Sequence, residues 1–345
     1  MIGVGVIGCG KIAQVRHIPE YLDNKDVKLI GLFDYNEERA KALAKKYNVK
    51  SYISVDELLH DTKIDAVSIC TPNNYHAPMS IKALRSGKHV LCEKPMAITL
   101  AECKAMVAVS KETNKTLMIG QNQRLTKTHQ YAKTLIEKKV IGKVLSFRTT
   151  FGHSGPESWS IDPGKNVWFF NKDKAAMGAM ADLGIHKTDL IQYLLSSRIK
   201  AVTAKLVTLD KRDTKGNLIK IDDNAFCIYE MENNIVGTMH SSWTMYGSED
   251  NSTVIYGDKG SLRIYEDPNH SIIAQLRDGE KIFYDIDQIQ TNENQTKSGV
   301  IDAFVRSIVE KTEPIITKES VLDSMKAVFA AIESSRLNKR VEVEE

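Results

Sequence analysis

Cysteine is scarce in this chain and follows no pattern. Its 345 residues include five, Cys9, Cys70, Cys92, Cys103 and Cys227, with no Cys-x-x-Cys pair. An odd number in a chain this large argues against a disulfide framework, and no zinc-ligand spacing is present. Cys9, Cys70 and Cys92 lie in or beside apolar runs and read as buried thiols. Long apolar runs are missing as well. None approaches the ~18 residues that a membrane span needs. The apolar start, Ile2 to Ile7, is broken by Gly8 and Lys11 too early for a secretory leader. These absences point to a cytoplasmic protein without a membrane partner. Charge of one sign is not in excess either: 47 basic residues face 44 acidic ones, for a net +3. With the two signs interleaved, nucleic acid is not expected as a partner.

What is present is ordinary globular material, 42% hydrophobic and 26% charged. At about 150 residues per domain the length suggests two domains. The first ~120 residues alternate short apolar runs (2–8, 27–33, 66–70, 89–92, 116–119) with segments of helical period. Strands alternating with helices mean βαβ units and a parallel sheet, and continuous apolar strands mean a sheet covered on both faces. After a helix near 128–138 the pattern changes. Alternating or β-branched stretches fall at 144–151, 201–209, 225–231, 235–243, 253–256, 261–264 and 272–276, with one helix near 180–195 among them and two more near 298–311 and 318–337. The expected fold class is α/β: a dinucleotide-binding domain over 1–123, then an α+β domain over 124–317 with an open, mostly antiparallel sheet. The helix near 318–337 is expected to pack back on the first domain.

Gly8-Cys9-Gly10-Lys11-Ile12-Ala13 joins the first strand to the first helix as G-x-G-x-x-A. Gly8 permits a tight turn. Gly10 lets backbone N–H groups of the Gly10-Lys11-Ile12 segment approach a pyrophosphate, and Ala13 lets helix and sheet pack closely. Asp34 follows Ala13 by 21 residues, at the end of the second strand, where a carboxylate accepts bonds from ribose hydroxyls. It would repel a 2′-phosphate, which favours NAD over NADP, although Arg39 is close by. Thr71-Pro72-Asn73-Asn74-Tyr75-His76 follows the apolar run 66–70 at the ligand edge of such a sheet. Thr71, Pro72, Asn73 and His76 are therefore candidate cofactor contacts, with a helix cap as the alternative reading of Asn73.

Two further groups carry chemistry. Cys92-Glu93-Lys94-Pro95 closes the apolar run 89–92. Pro95 restricts Lys94 to extended conformations, and a lysine fixed beside a nicotinamide ring is suited to proton transfer or to donating a hydrogen bond to a reacting hydroxyl. Glu93 is placed to orient it. Asp182, His186 and Asp189 share a helix at i, i+4 and i+3 spacing, which puts them on neighbouring positions. Gly184 among them suggests a close approach by another element. A histidine between two acids is an oriented acid/base, a metal site or a satisfied core residue. Two ligands without a marked third argue against metal.

Taken together, the glycine turn, Glu93-Lys94-Pro95 and Asp182-x-Gly184-x-His186-x-x-Asp189 resemble the Gfo/Idh/MocA oxidoreductases, a family that includes glucose–fructose oxidoreductase and inositol dehydrogenase. The resemblance covers the whole chain. It implies that Lys94, Asp182 and His186 line a catalytic cleft, with His186 as general base, Lys94 holding the same oxygen and Asp182 orienting substrate or imidazole. Gln123 and Arg124 are implied as cleft residues, although Leu125 stands where many relatives carry an aromatic. It also implies a homodimer or homotetramer formed through the C-terminal sheet. The loop 152–174, with His153, Trp159 and Trp168, borders the expected pocket of a polyol substrate, unless Trp168-Phe169-Phe170 anchors the loop in the core. The expected activity is NAD-dependent dehydrogenation of a sugar or cyclitol. A ligand sensor like the yeast galactose-pathway repressor, and a glycosidase using transient oxidation by NAD, are the alternatives.

Overall fold

A computed structural model describes residues 1–288 and 297–344, which fall into two compact units. The first comprises 1–121, 160–162 and, among the described residues, 297–322; the second comprises 122–159, 163–288 and 323–344.

The first unit carries six strands, Ile2–Ile7 (β1), Val27–Phe33 (β2), Lys50–Ser51 (β3), Ala66–Ile69 (β4), His89–Cys92 (β5) and Leu117–Ile119 (β6). All pair in parallel in the order β3-β2-β1-β4-β5-β6. The apolar runs are buried because helices cover the sheet; Val4, Val6, Val67 and Val90 have no exposed surface. Register then places the chemistry. Ile7 pairs with Phe33 and Ile69, and Cys92 pairs with Ile69 and Ile119. The residues that follow each strand, Gly8, Asp34, Cys70, Glu93 and Gly120, therefore share one edge. Strand order reverses between β1 and β4, and ligands of open parallel sheets bind outside such a reversal. The short β3 and the helix Val55–His60, neither of which the apolar pattern marked, complete the order.

The second unit is built on nine strands: Val144–Gly152 (β7), Ile199–Val207 (β8), Asn224–Met231 (β9), Val236–Ser242 (β10), Thr253–Gly257 (β11), Gly260–Ile264 (β12), Ile272–Leu276 (β13), Lys281–Tyr284 (β14) and Val341–Glu342 (β15). Their order is β14-β13-β12-β11-β7-β10-β9-β8-β15, antiparallel except for the β7–β10 pair. One face is apolar and buried, through Phe147, Met239, Tyr229, Ile255 and Leu262. Helix Ile185–Leu195, itself almost wholly buried, belongs to this core. The other face leaves Leu145, Phe226, Ile228, Val236 and Phe283 exposed. The closing helix Lys318–Leu337 begins in the first unit, but from Asp323 onward it belongs to the second. Its Ser324 bonds Gln192 and Asp189, and the Ala204 N–H donates to its Ser334. No described helix is long and apolar enough to cross a membrane.

Candidate active site

Turn geometry explains the glycine fingerprint. Gly8 has φ +93°, and a Cβ there would lie 2.6 Å from the Cys70 carbonyl oxygen, so only glycine fits. A Cβ at Gly10 would meet nothing within 4 Å, so the space beside it is an open cradle. Asp34 is tied to this turn. Its Oδ2 accepts the Cys9 N–H at 2.6 Å, and its Oδ1 accepts the Asn36 N–H at 2.7 Å. Asn36 caps helix Glu37–Tyr47 by accepting the Arg39 N–H, which brings Arg39 beside the edge. The Arg39 guanidinium lies 3.9 Å from Asp34 but is bonded at 2.7 Å by Asp162. At the end of β4, Thr71 Oγ1 and Asn74 Oδ1 are buried without a partner among the described residues, as are both side-chain polar atoms of Gln121 beyond β6. Orphaned buried polar atoms at a ligand edge, together with an empty glycine cradle, fit a dinucleotide.

The structure places the other expected residues of this unit differently from one another. Asn73 starts a 3-10 turn and caps no helix; helix His76–Arg85 has no side-chain cap. His76 is buried with both ring nitrogens against backbone carbonyls, Pro95 O at 2.7 Å and Thr71 O at 2.9 Å, and burial lowers its pKa. It holds the Thr71 and Pro95 segments together. Glu93 Oε1 is 2.8 Å from His17 Nε2, and Oε2 accepts the Lys94 N–H at 3.2 Å. Burial pushes the Glu93 carboxyl up, but the His17 bond and the charges of His17, Arg16 and Lys94 outweigh it and hold the group at about 2.

In the second unit Asp182 lies in a π-helical turn, Met180–Gly184, that feeds helix Ile185–Leu195. Such turns widen the helix and are frequent at functional sites. Asp222 holds the turn's start by accepting N–H bonds from Gly178 (2.8 Å) and Met180 (2.7 Å). A Cβ on Gly184 would stand 3.0 Å from Ser241 Oγ of β10, so the turn packs hard on the sheet as the glycine suggested. Asp182 Oδ2 accepts the Trp243 Nε1–H at 3.0 Å and lies 4.0 Å from His153 Nε2. His153 Nδ1 accepts the Gly155 N–H at 2.9 Å, so Nε2 carries the proton and points its donor toward Asp182. His186 is buried with its ring 5.8 Å from that of Phe151. Trp159, edge-on to His153, has a buried indole N–H without an acceptor among the described residues.

Arg124 and Asp189 are brought together: Arg124 Nε donates to Asp189 Oδ2 at 2.6 Å, the second guanidinium nitrogen bonds Oδ1, and Ser324 adds a 2.9 Å bond. This buried fork braces the helix. Gln123 donates to Asn251 at 3.2 Å and keeps a buried Oε1 with no partner among the described residues. Trp168 stacks on Phe169 at 3.9 Å, and both pack on a core of Ala175, Ala179, Leu183, Ile219, Ile221 and Trp243. The aromatic run therefore anchors its loop. Sequence reasoning missed His17 and Trp243. The signal for His17 was a histidine on the helical segment that directly follows the glycine turn, between the apolar Val15 and Ile18. Trp243, at the end of its strand, gave none.

A parallel 3-2-1-4-5-6 sheet with this fingerprint, joined to a unit holding a buried Asp–His turn, defines a two-unit dinucleotide-binding oxidoreductase. The chain belongs to the Gfo/Idh/MocA family. The family's profile, described as an oxidoreductase family with an NAD-binding Rossmann fold, matches residues 2–121, and the profile of its C-terminal domain matches 129–263. Levoglucosan dehydrogenase of Pseudarthrobacter phenanthrenivorans is 32% identical over 247 residues, which are 66% of this chain and 62% of that protein. D-glucoside 3-dehydrogenase of Escherichia coli K12 is 26% identical over 99% of this chain and 97% of its own length. Among solved structures, levoglucosan dehydrogenase in complex with NADH and levoglucosan superimposes with a TM-score of 0.85 at 25% identity, covering 99% of each chain.

Proposed function

We propose that this protein is an NAD-dependent dehydrogenase that oxidises a hydroxyl of a sugar or cyclitol, or reduces the matching carbonyl. The observation that carries the reading is the presence of Glu93-Lys94 at the ligand edge of the first unit together with Asp182 on the buried turn of the second and His186 on the helix that the turn feeds. Relatives named for sugar substrates support the substrate class.

Bound NAD supplies the acceptor for the carbon-bound hydrogen. The Gly8–Ala13 turn and the helix dipole behind it hold the pyrophosphate. Asp34 binds the adenosine ribose. Its charge, with Arg39 occupied by Asp162, disfavours a 2′-phosphate and supports NAD over NADP. Thr71 and Gln121 hold polar groups of the cofactor with their orphaned atoms. Lys94 donates a hydrogen bond to the reacting hydroxyl and stabilises negative charge on its oxygen. His186 takes the hydroxyl proton as the carbonyl forms and returns it in the reverse direction. Asp182, held by Trp243 and faced by His153, orients the substrate or the imidazole. Aromatic rings such as Trp159 pack on the apolar faces of a polyol.

The exposed row Phe226, Ile228 and Val236 on the open face of the second sheet supports assembly as a homodimer or homotetramer through that face. The direct test of function is a panel of levoglucosan, D-glucose, methyl glucoside and myo-inositol with NAD and with NADP. Reduced cofactor should accumulate with at least one polyol, and faster with NAD.

A further inference from the structure

We propose that His17 is a positioning residue for Lys94, acting through Glu93 at the end of a buried hydrogen-bond chain that begins at Tyr21. The inference rests on the reading of Lys94 given above and does not depend on which polyol is the substrate.

Four side chains from three elements form the chain. Tyr21 Oη lies 2.7 Å from Ser68 Oγ, Ser68 Oγ lies 2.9 Å from His17 Nδ1, and His17 Nε2 lies 2.8 Å from Glu93 Oε1. All are buried, His17 and Ser68 with no exposed surface. An ionised carboxylate only accepts, so His17 Nε2 donates. His17 Nδ1 meets Ser68 Oγ, and Ser68 Oγ meets Tyr21 Oη, so each polar atom along the chain has a partner, and the chain ends on Glu93. The other Glu93 oxygen accepts the Lys94 N–H at 3.2 Å, so the same carboxylate fixes the backbone from which the lysine projects. A Cβ on Gly120 would stand 3.0 Å from Oε1, so the carboxylate is walled in on that side and has little room to turn.

Packing alone does not account for this arrangement. Burying a carboxylate is costly, and an apolar residue at the strand end would fill the space at less cost. The chain holds a negative charge next to Lys94 instead. The groups facing Glu93 are His17 and Arg16 from the turn Ala13–His17, Lys94 beside it, Cys70 after β4, His76 of the helix His76–Arg85, and Cys92 of β5. With His17 present, Glu93 is ionised at every pH at which the enzyme works. Without it, only Arg16 and Lys94 oppose the burial that raises the carboxyl. A protonated Glu93 would then donate where it now accepts.

The test compares His17→Leu, His17→Gln and Ser68→Ala in the full chain. Carbon-13 titration of the Glu93 carboxyl needs no substrate. His17→Leu should move it from about 2 in the wild type to between about 5 and 8, within the range of buried carboxyls. With the panel polyol turned over fastest by the wild type, turnover of His17→Leu should fall ~10–100-fold, as expected for a displaced reacting group. The acid limb of its pH profile should move up and steepen from one proton toward two, because Glu93 and the general base must both be deprotonated. Affinity for NADH, read by fluorescence, should stay within about threefold, since the phosphate turn and ribose contacts are untouched. His17→Gln restores a donor and should recover most of the loss. Should His17→Leu not fold, Ser68→Ala decides: a raised Glu93 titration supports the chain, and an unchanged one overturns it. A folded His17→Leu with a wild-type Glu93 titration and pH profile also overturns it. Full activity of Lys94→Ala would instead overturn the assignment of Lys94, whatever the His17 variants do.

Discussion

Each unit holds a buried histidine–carboxylate arrangement, and the two are built in opposite ways. In the first, His17 and Glu93 meet at 2.8 Å, both His17 nitrogens are engaged, and the carboxyl is held at about 2. In the second, Asp182 takes its bond from Trp243, a neutral donor, at 3.0 Å, while His153 stands 4.0 Å away and His186 packs beside Phe151. A buried chain of hydrogen bonds ending on a carboxylate suits a group whose charge must not change. In the mechanism proposed above His186 instead exchanges a proton in each cycle, so changes at His186 should cost more turnover than changes at His17.

The largest effect is expected where a group acts on the reacting atoms. His186→Ala should retain NADH affinity and lose turnover by ~10²–10⁴-fold, the usual contribution of a positioned acid or base. Lys94→Ala should lose at least as much, and Lys94→Arg should not rescue it, because the planar guanidinium does not replace a compact ammonium. Steady-state rates beside a fluorescence titration of NADH check both. Next comes the carboxylate of the second unit. Trp243→Phe removes its donor at a cost of about 1–3 kcal/mol, so turnover should fall roughly 5- to 150-fold while cofactor binding is unchanged. If turnover of the folded variant matched the wild type, Asp182 would not depend on that bond.

Changes of similar size or smaller are expected at the cofactor edge, away from both arrangements. Asp34→Ala should weaken NAD binding by about 1.5–3 kcal/mol, roughly 10- to 150-fold, and relax discrimination against NADP. Asp162→Ala should release Arg39 and improve NADPH binding by a few fold, within the ~0.2–1 kcal/mol of an exposed ion pair. Paired NADH and NADPH titrations decide both, and a wild type that already binds NADPH more tightly contradicts the assignment. The last effect is on stability and not on turnover, and it lies beside His186. Lys187 is fully buried, donates to Asn251 O at 2.9 Å, and is pushed by burial down to about 7. The unfolded chain binds that proton up to the ordinary lysine value of 10.5. Between these values the unfolded state carries more protons, so stability rises with pH and the contribution is lost as pH falls toward 7. Urea unfolding from pH 7 to 10 should show this slope in the wild type and a flatter one in Lys187→Met.

The sequence was most legible where local pattern and chemistry coincide. The apolar runs located five of the six parallel strands, and the glycine turn with Asp34 marked their ligand edge, because register forces the strand-end residues together. β3 escaped because a two-residue strand has no period. In the second unit the helix position was readable, but its π-helical turn was not, since a widened turn keeps the apolar composition of an α-helix. Arg124 and Asp189 were expected at the substrate. Their mutual fork could not be foreseen, because the two lie far apart in sequence and only the fold joins them. The Tyr21–Ser68–His17–Glu93 chain escaped for the same reason: His17 and Tyr21 are four residues apart on one helical segment, but only the fold brings Ser68 and Glu93 to them.

The most direct measurement is NAD reduction over the polyol panel by the wild type, Lys94→Ala and His186→Ala, with NADH binding measured in all three. The account predicts reduction by the wild type with at least one sugar or cyclitol. Both variants should bind NADH as the wild type does and lose turnover by at least ~100-fold, the low end expected for an acid/base group. Near-normal turnover in both variants would contradict it, because the Asp182–His186 turn would then be structural and the chemistry would lie elsewhere.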